Sequence, residues 1–126
     1  MTPQQLVAEA RKQIRELDCA GAVQYLSQGA LCIDVRESGE HEAESLHGAI
    51  SIPRGVVEFR IGDTPGCADK GRALLVYCKT GGRSALAALN LQRMGYVNVA
   101  SLAGGIDAWR SQGLPTHRDD SRYGNG

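Results

Sequence analysis

The sequence predicts an α/β domain built on a five-stranded, mostly parallel sheet with helices on both faces. Three observations carry this expectation. Short apolar runs alternate with amphipathic stretches along most of the chain, the pattern of repeated strand–helix units. Two runs, at 30–35 and 73–77, are apolar on both faces, as central parallel strands require. Glycines stand where helical stretches should stop, at Gly29, Gly95 and Gly113.

Thr2, Pro3 and Gln5 give a helix-start signal: a threonine cap, proline in the first turn and glutamine at the third helical position. Leu6, Val7 and Ala10 then share one face, which predicts a surface helix over 3–12. Residues 14–17 read as a first strand, and Asp18 caps a helix that turns Ala22, Val23 and Leu26 inward. The second strand ends at an acid, Asp34. The polar stretch 36–47, with Glu37, Glu40, Glu42 and Glu44 close together, reads as a loop and a short helix. Pro53, which lacks a ladder donor, stops a third strand over 49–53. A brief helix around Val57, Phe59 and Ile61 follows, then a Gly/Pro-rich loop at 62–66 beside Cys67.

The fourth strand, 73–77, runs into Cys78. The helix beyond it turns Leu86, Leu89 and Met94 toward the sheet, and 96–99 supplies the fifth strand. Gly104 and Gly105 open a last helix carrying Ile106, Ala108 and Trp109. Trp109 is expected in the core, and Phe59 in the core or a pocket wall. The chain thus divides into a helical extension at 1–13, a core domain at 14–115 and a polar tail at 116–126 with nothing to bury, expected to be mobile.

Lysines and arginines number 14 and aspartates and glutamates 14, so no basic excess points to nucleic acid or an anionic membrane as a partner. No run approaches the roughly 18 apolar residues of a membrane span, and the first residues lack a signal-peptide core, so a cytoplasmic location is expected. The four cysteines, Cys19, Cys32, Cys67 and Cys78, contain no CxxC pair to suggest zinc or a dithiol site.

Cys78 is the residue on which function should turn. It stands where a buried strand gives way to a helix, ahead of Lys79, Thr80, Gly81, Gly82 and Arg83. Glycines let such a loop curl so that successive N–H groups point inward, and the following helix adds unpaired N–H groups and the positive end of its dipole. A thiol in that setting should ionise readily. Arg83 could clamp an anion or brace the loop, and Lys79 could act as a point charge at its mouth. Asp34, buried at the mouth end of its strand, needs partners, with Arg36 and Arg83 the nearest candidates. Cys19 and Cys32 read as structural, Cys67 as an incidental thiol and His47 as a turn residue.

Four stretches give the chain a resemblance to the rhodanese family of single-domain sulfurtransferases: 34–37 (DVRE), 46–53 (LHGAISIP), 76–84 (VYCKTGGRS) and 104–109 (GGIDAW). The resemblance covers roughly residues 14–115 and implies the rhodanese-like fold. It also implies that Cys78 takes up a sulfane sulfur as a persulfide from a small anionic donor such as thiosulfate, and passes it to cyanide or a thiol. A protein acceptor is a further possibility the family allows. No separate cofactor or metal is implied, the covalent persulfide serving in that place. Relatives usually carry histidine where this chain has Ser45, and many have proline where it has His47.

Two other functions compete with this reading. Cysteine-based phosphatases and arsenate reductases also end a cysteine loop in arginine, but with five residues between the two where this chain has four. A sulfur-carrier or partner-binding module would use the same loop with a protein donor or acceptor, and the acidic cluster at 37–44 could dock a basic partner.

Overall fold

A computed structural model of the chain describes residues 1–118. Helix α1 (Pro3–Arg11) begins at a Thr2 cap with the reciprocal Gln5 bond. Strand β1 (Arg15–Leu17), helix α2 (Cys19–Ser27), strand β2 (Leu31–Asp34) and helix α3 (Ser38–Ala43) follow. Strand β3 (Ile50–Ser51) leads to helix α4 (Val57–Arg60) with a single 3-10 turn at Ile61–Asp63, and then to strand β4 (Leu74–Tyr77). Helix α5 (Gly82–Arg93), strand β5 (Val99–Leu102) and helix α6 (Gly105–Ser111) complete the order.

All four strand pairings are parallel and the order across the sheet is β1-β5-β4-β2-β3. The strand before Cys78 is therefore central. Because side chains alternate across a strand, Leu74 and Val76 enter one core layer while Leu75 and Tyr77 enter the other. The first layer lies under α4 and α5 and holds Val57, Ala87, Ala88, Leu91 and Tyr96. The second lies under α2 and α6 and holds Ala22, Tyr25, Ile106 and Trp109.

The sequence reading needs correcting at five places. The fifth strand lies at Val99–Leu102, not 96–99. Residues 96–98 are spent on closing the preceding loop: the Tyr96 amide bonds Leu91 O, the Val97 amide bonds Lys70 O, and Asn98 O accepts from Leu74. Tyr96 is buried for a different reason, its hydroxyl bonding Cys67 O at 2.7 Å. On α5 the alanines, not Leu86 and Leu89, meet the sheet, because a small face lets the helix sit close. On α2 Tyr25 turns inward and Val23 outward.

Phe59 is 83% exposed and belongs neither to the core nor to a pocket wall. Residues 116–118 differ from the expected mobile tail. His117 exchanges both backbone hydrogen bonds with Ser45, at 2.9 and 2.7 Å, and Thr116 bonds Glu44. The remainder of the expected tail, 119–126, lies outside the described residues. Among the described residues no helix is long and apolar enough to cross a membrane.

Candidate active site

Cys78 follows β4 at the carboxyl end of the sheet, and the chain turns there directly into α5. Its residue is buried, and the sulfur lies on the floor of the loop. The Gly81 amide donates to Cys78 Sγ at 3.1 Å and the Ser84 amide at 3.4 Å. These two donors close a ring over six residues, and Gly82 and Arg83, in the first turn of α5, have amides without intrahelical acceptors.

Only one of the two loop glycines uses the left-handed region. Gly81 has φ of +104°, while Gly82 is helical and a Cβ there would make only an ordinary contact with Val7, at 3.5 Å.

The ring is held from behind by α6. Cys78 O accepts from the Ile106 amide at 2.9 Å and Lys79 O from the Asp107 amide at 3.1 Å, so the loop carbonyls face the helix and its amides are free to face the sulfur. Gly105, with φ of +60°, permits this approach, since a Cβ would stand 2.4 Å from Lys79 O and 2.5 Å from Cys78 O. The glycine pair at 104–105, read in the sequence as a helix start, is thus a docking surface for the loop.

Both loop cations are already paired. Arg83 places Nη1 and Nη2 on the two carboxylate oxygens of Glu40, at 2.8 and 3.2 Å, and Lys79 Nζ donates to Asp107 at 2.8 Å. Hydrogen bonds from Arg83 hold the Glu40 carboxyl down at about 2, and the same contact raises the Arg83 guanidinium. The contact seen for Arg83 is thus a pairing with an acid. Within the acidic stretch Glu40 and Glu44 are internal scaffolding, Glu44 being buried and accepting from Thr116 and Arg110, while Glu37 and Glu42 are exposed.

Asp34 pairs with Arg36 and not with Arg83. Its fully buried carboxylate accepts from Arg36 N, Nε and Nη2 at 2.9, 3.1 and 2.8 Å, from Tyr77 Oη at 2.9 Å, and meets His41 Nδ1 at 2.9 Å. Burial pushes this carboxyl up, but the bonds from Arg36 and His41 outweigh it and hold the group below its usual range. Arg36 also donates to Glu44 O, and Tyr77 Oη accepts from Leu46 N, so the network ties β2, β4 and the 44–46 turn together.

A pair of bonded hydroxyls, one of them near the sulfur, was not singled out by sequence reasoning. Ser84 Oγ lies 3.6 Å from Cys78 Sγ and 2.8 Å from Ser101 Oγ, and both serines are fully buried. Ser84 stood in view beside Arg83, but a serine in β5 carries no signal until the register with β4 is known. Also missed was Arg11, whose guanidinium approaches Gly81 from α1. Cys19, Cys32 and Cys67 are free, buried thiols pushed up by burial, as structural cysteines are. Cys67 is in the core, more deeply set than its loop composition suggests. Ser45 is buried by its pairing with His117, and His47 sits edge-on to the His117 ring with centroids 6.2 Å apart.

The model of the rhodanese-like domain matches residues 12–112. The chain belongs to the rhodanese-like family. Its rhodanese-like domain is 32% identical over 104 residues to a sulfurtransferase of Allochromatium vinosum, covering 81% of this chain and 94% of that protein. It is 30% identical over 104 residues to the thiosulfate sulfurtransferase GlpE of Pseudomonas entomophila, covering 82% and 88%. Among solved structures, one from Rhodopseudomonas palustris, described as of unknown function and a possible tyrosine phosphatase, superposes with a TM-score of 0.83. It is 31% identical, with 93% of this chain and 95% of that one covered. Helix α1 precedes the matched segment and packs on α5.

Proposed function

We propose that the protein is a sulfurtransferase that carries a sulfane sulfur on Cys78 as a persulfide. The observation supporting this most directly is the pair of backbone amides, from Gly81 and Ser84, aimed at the cysteine sulfur at the N-terminus of a 12-residue helix. Fixed donors of this kind suit negative charge on sulfur, as oxyanion-hole donors suit it on oxygen. The kinship with sulfurtransferases supports the same reading.

In the proposed reaction the Cys78 thiolate attacks the outer sulfur of thiosulfate. The S–S bond of the donor breaks, sulfite departs with the bonding pair, and Cys78 is left as a persulfide. Cyanide or a thiolate then attacks the terminal sulfur, and the Cys78 thiolate is regenerated as leaving group. No general base is required once the thiol has ionised. The loop amides hold the transferred sulfur, while Arg83 and Lys79 act through the loop's shape, each being committed to a carboxylate. Asp34 and Arg36 support the strand ends on which the loop rests.

Phosphatase chemistry fits less well. With four residues between Cys78 and Arg83, the ring is one residue tighter than a phosphate-binding loop and its arginine is turned to Glu40. Incubation with thiosulfate is expected to add the mass of one sulfur atom at Cys78, and Cys78→Ser to abolish both the adduct and thiocyanate formation. Cyanolysis at the parental rate without Cys78 would overturn the proposal.

A further inference from the structure

A serine stands in a layer that is otherwise apolar. Side chains alternate along β5, so Ser101 points to the same face of the sheet as Val99, into the layer that also holds Val76, Ala87, Ala88 and Leu91. It is in register with Val76 of β4, two residues before Cys78, and it is wholly buried. A hydroxyl taken out of water is costly unless it is hydrogen-bonded. Among the described residues the partner of Ser101 Oγ is Ser84 Oγ, at 2.8 Å, in the first turn of α5.

The protons of this pair can be counted. Each hydroxyl has one proton to give and two lone pairs to receive. The Ser84 proton has acceptors of its own, Gly81 O at 3.2 Å and Cys78 Sγ at 3.6 Å. The Ser101 proton has Ser84 Oγ alone among the described residues, so Ser101 is the donor of the pair. Ser84 therefore keeps its own proton free to serve either the carbonyl or the sulfur.

We infer that Ser101 is a positioning residue for sulfur transfer: by donating to Ser84 Oγ, it steers the Ser84 hydroxyl onto Cys78 Sγ whenever that sulfur is negatively charged. The inference rests on the sulfurtransferase reading and adds a third donor to the amides of Gly81 and Ser84 on the same sulfur. While Cys78 carries its proton, the thiol donates to Ser84 Oγ and the Ser84 hydroxyl rests on Gly81 O. Once the sulfur is an anion it is the stronger acceptor, and the hydroxyl turns to it. The charge appears twice in each cycle. It is present in the thiolate that attacks the donor, and it returns when the acceptor bonds to the terminal sulfur, the persulfide S–S bond breaks and its electron pair goes back to Sγ. In the persulfide between those steps Sγ carries no charge, and the hydroxyl returns to Gly81 O. Neither serine loses a proton. Accepting from Ser101 makes Ser84 the better donor, because linked hydrogen bonds polarise one another. The charged groups around the loop are already in ion pairs: Arg83 of α5 with Glu40 of α3, Lys79 with Asp107 of α6, Arg36 and His41 with Asp34 of β2, and Arg11 of α1 with Glu16 of β1.

The test follows alkylation of Cys78 by iodoacetamide against pH, with the label located by peptide mass spectrometry. This counts the thiolate without using sulfur transfer. The full chain is compared with Ser101→Ala, Ser101→Thr, Ser84→Ala and the variant carrying both alanines. A hydrogen bond to a charged group corresponds to a change of about tenfold or more, so Ser84→Ala should move the alkylation midpoint up by about one pH unit. Ser101→Ala should move it by a share of that, about 0.3–0.5 pH unit or roughly two- to threefold. Ser101→Thr, which keeps the hydroxyl, should restore the parental midpoint. The double variant should match Ser84→Ala, because Ser101 acts through Ser84, and this comparison decides the matter should threonine crowd the layer. A midpoint unmoved in Ser101→Ala, with only a lower denaturant midpoint, makes the bond a staple between β5 and α5 and overturns the inference. So does a double variant whose shift is the sum of the two single ones. Either result leaves the sulfurtransferase reading standing where thiosulfate still loads Cys78. Failure of the parental protein to load Cys78 from both thiosulfate and an organic persulfide overturns that reading, and the part of Ser101 in transfer with it.

Discussion

Asp34 shows how much one buried side chain can organise. Its carboxylate, wholly removed from water, gathers Arg36, Tyr77 and His41. An ion pair of this kind is worth little against a well-packed apolar substitute, but removing one partner leaves the other charge buried and uncompensated, at a cost of roughly 3–5 kcal/mol. Asp34→Asn keeps the shape and removes the charge, leaving the nearly buried Arg36 guanidinium without its counter-ion. Urea unfolding should show a loss of that size, about 3–5 kcal/mol, with the slope unchanged. Part of this was legible in advance, since a carboxylate ending an apolar strand demands partners. The choice of Arg36 over Arg83 was not, because it depends on Glu40 arriving from α3 to take Arg83.

At the scale of elements, the contact between α6 and the cysteine loop decides the site. The helix lends its first amides to the carbonyls of Cys78 and Lys79, and Gly105 is the residue that allows the backbones to meet. Gly105→Ala would force a methyl group onto two carbonyl oxygens and hold alanine at a left-handed φ. Relief requires α6 to move away from the loop. The expected result is a stability loss of about 1–3 kcal/mol together with a sulfur-loading rate at Cys78 reduced by more than the fraction unfolded explains. Thermal unfolding and loading followed by mass spectrometry measure the two effects separately.

Periodicity located every helix and strand of the core to within a few residues except the fifth strand. There Tyr96 and Val97 carry the stronger strand preference, and only the hydrogen bonds of the loop from Lys70 show why the ladder starts at Val99. Likewise, α1 was legible as a capped helix, but its place against Gly81 and Gly82 was not, because nothing local says which face of the domain a terminal helix will cover.

For the whole molecule, net neutrality hides a network of paired carboxylates. Asp34, Glu40, Glu44, Glu58 and Asp107 all titrate below their ordinary values, with Glu40 at about 2. A group whose folded value is depressed contributes stability above its unfolded value and loses that contribution as pH falls through the folded one. Stability should therefore be flat from neutrality down to about 4.5, the ordinary Glu value, and then fall steadily toward pH 2. Denaturant midpoints measured across that interval check the trend, and Glu40→Gln should make the decline shallower. The sequence showed the acids and the bases in equal number but not their pairing, since Glu40 and Arg83 are brought together only by the parallel sheet.

The strand order carries a consequence for how the protein is made. β1 at one edge pairs with β5, the last strand to be synthesised, and β5 also flanks the central strand that delivers Cys78. During translation the first strand has no neighbour, and the Cys78 loop has no backing, until the residues around Gly105 have left the ribosome. Cys78 thus emerges ahead of the helix that backs its loop, and the loop is completed only by nearly the final stretch of the described polypeptide.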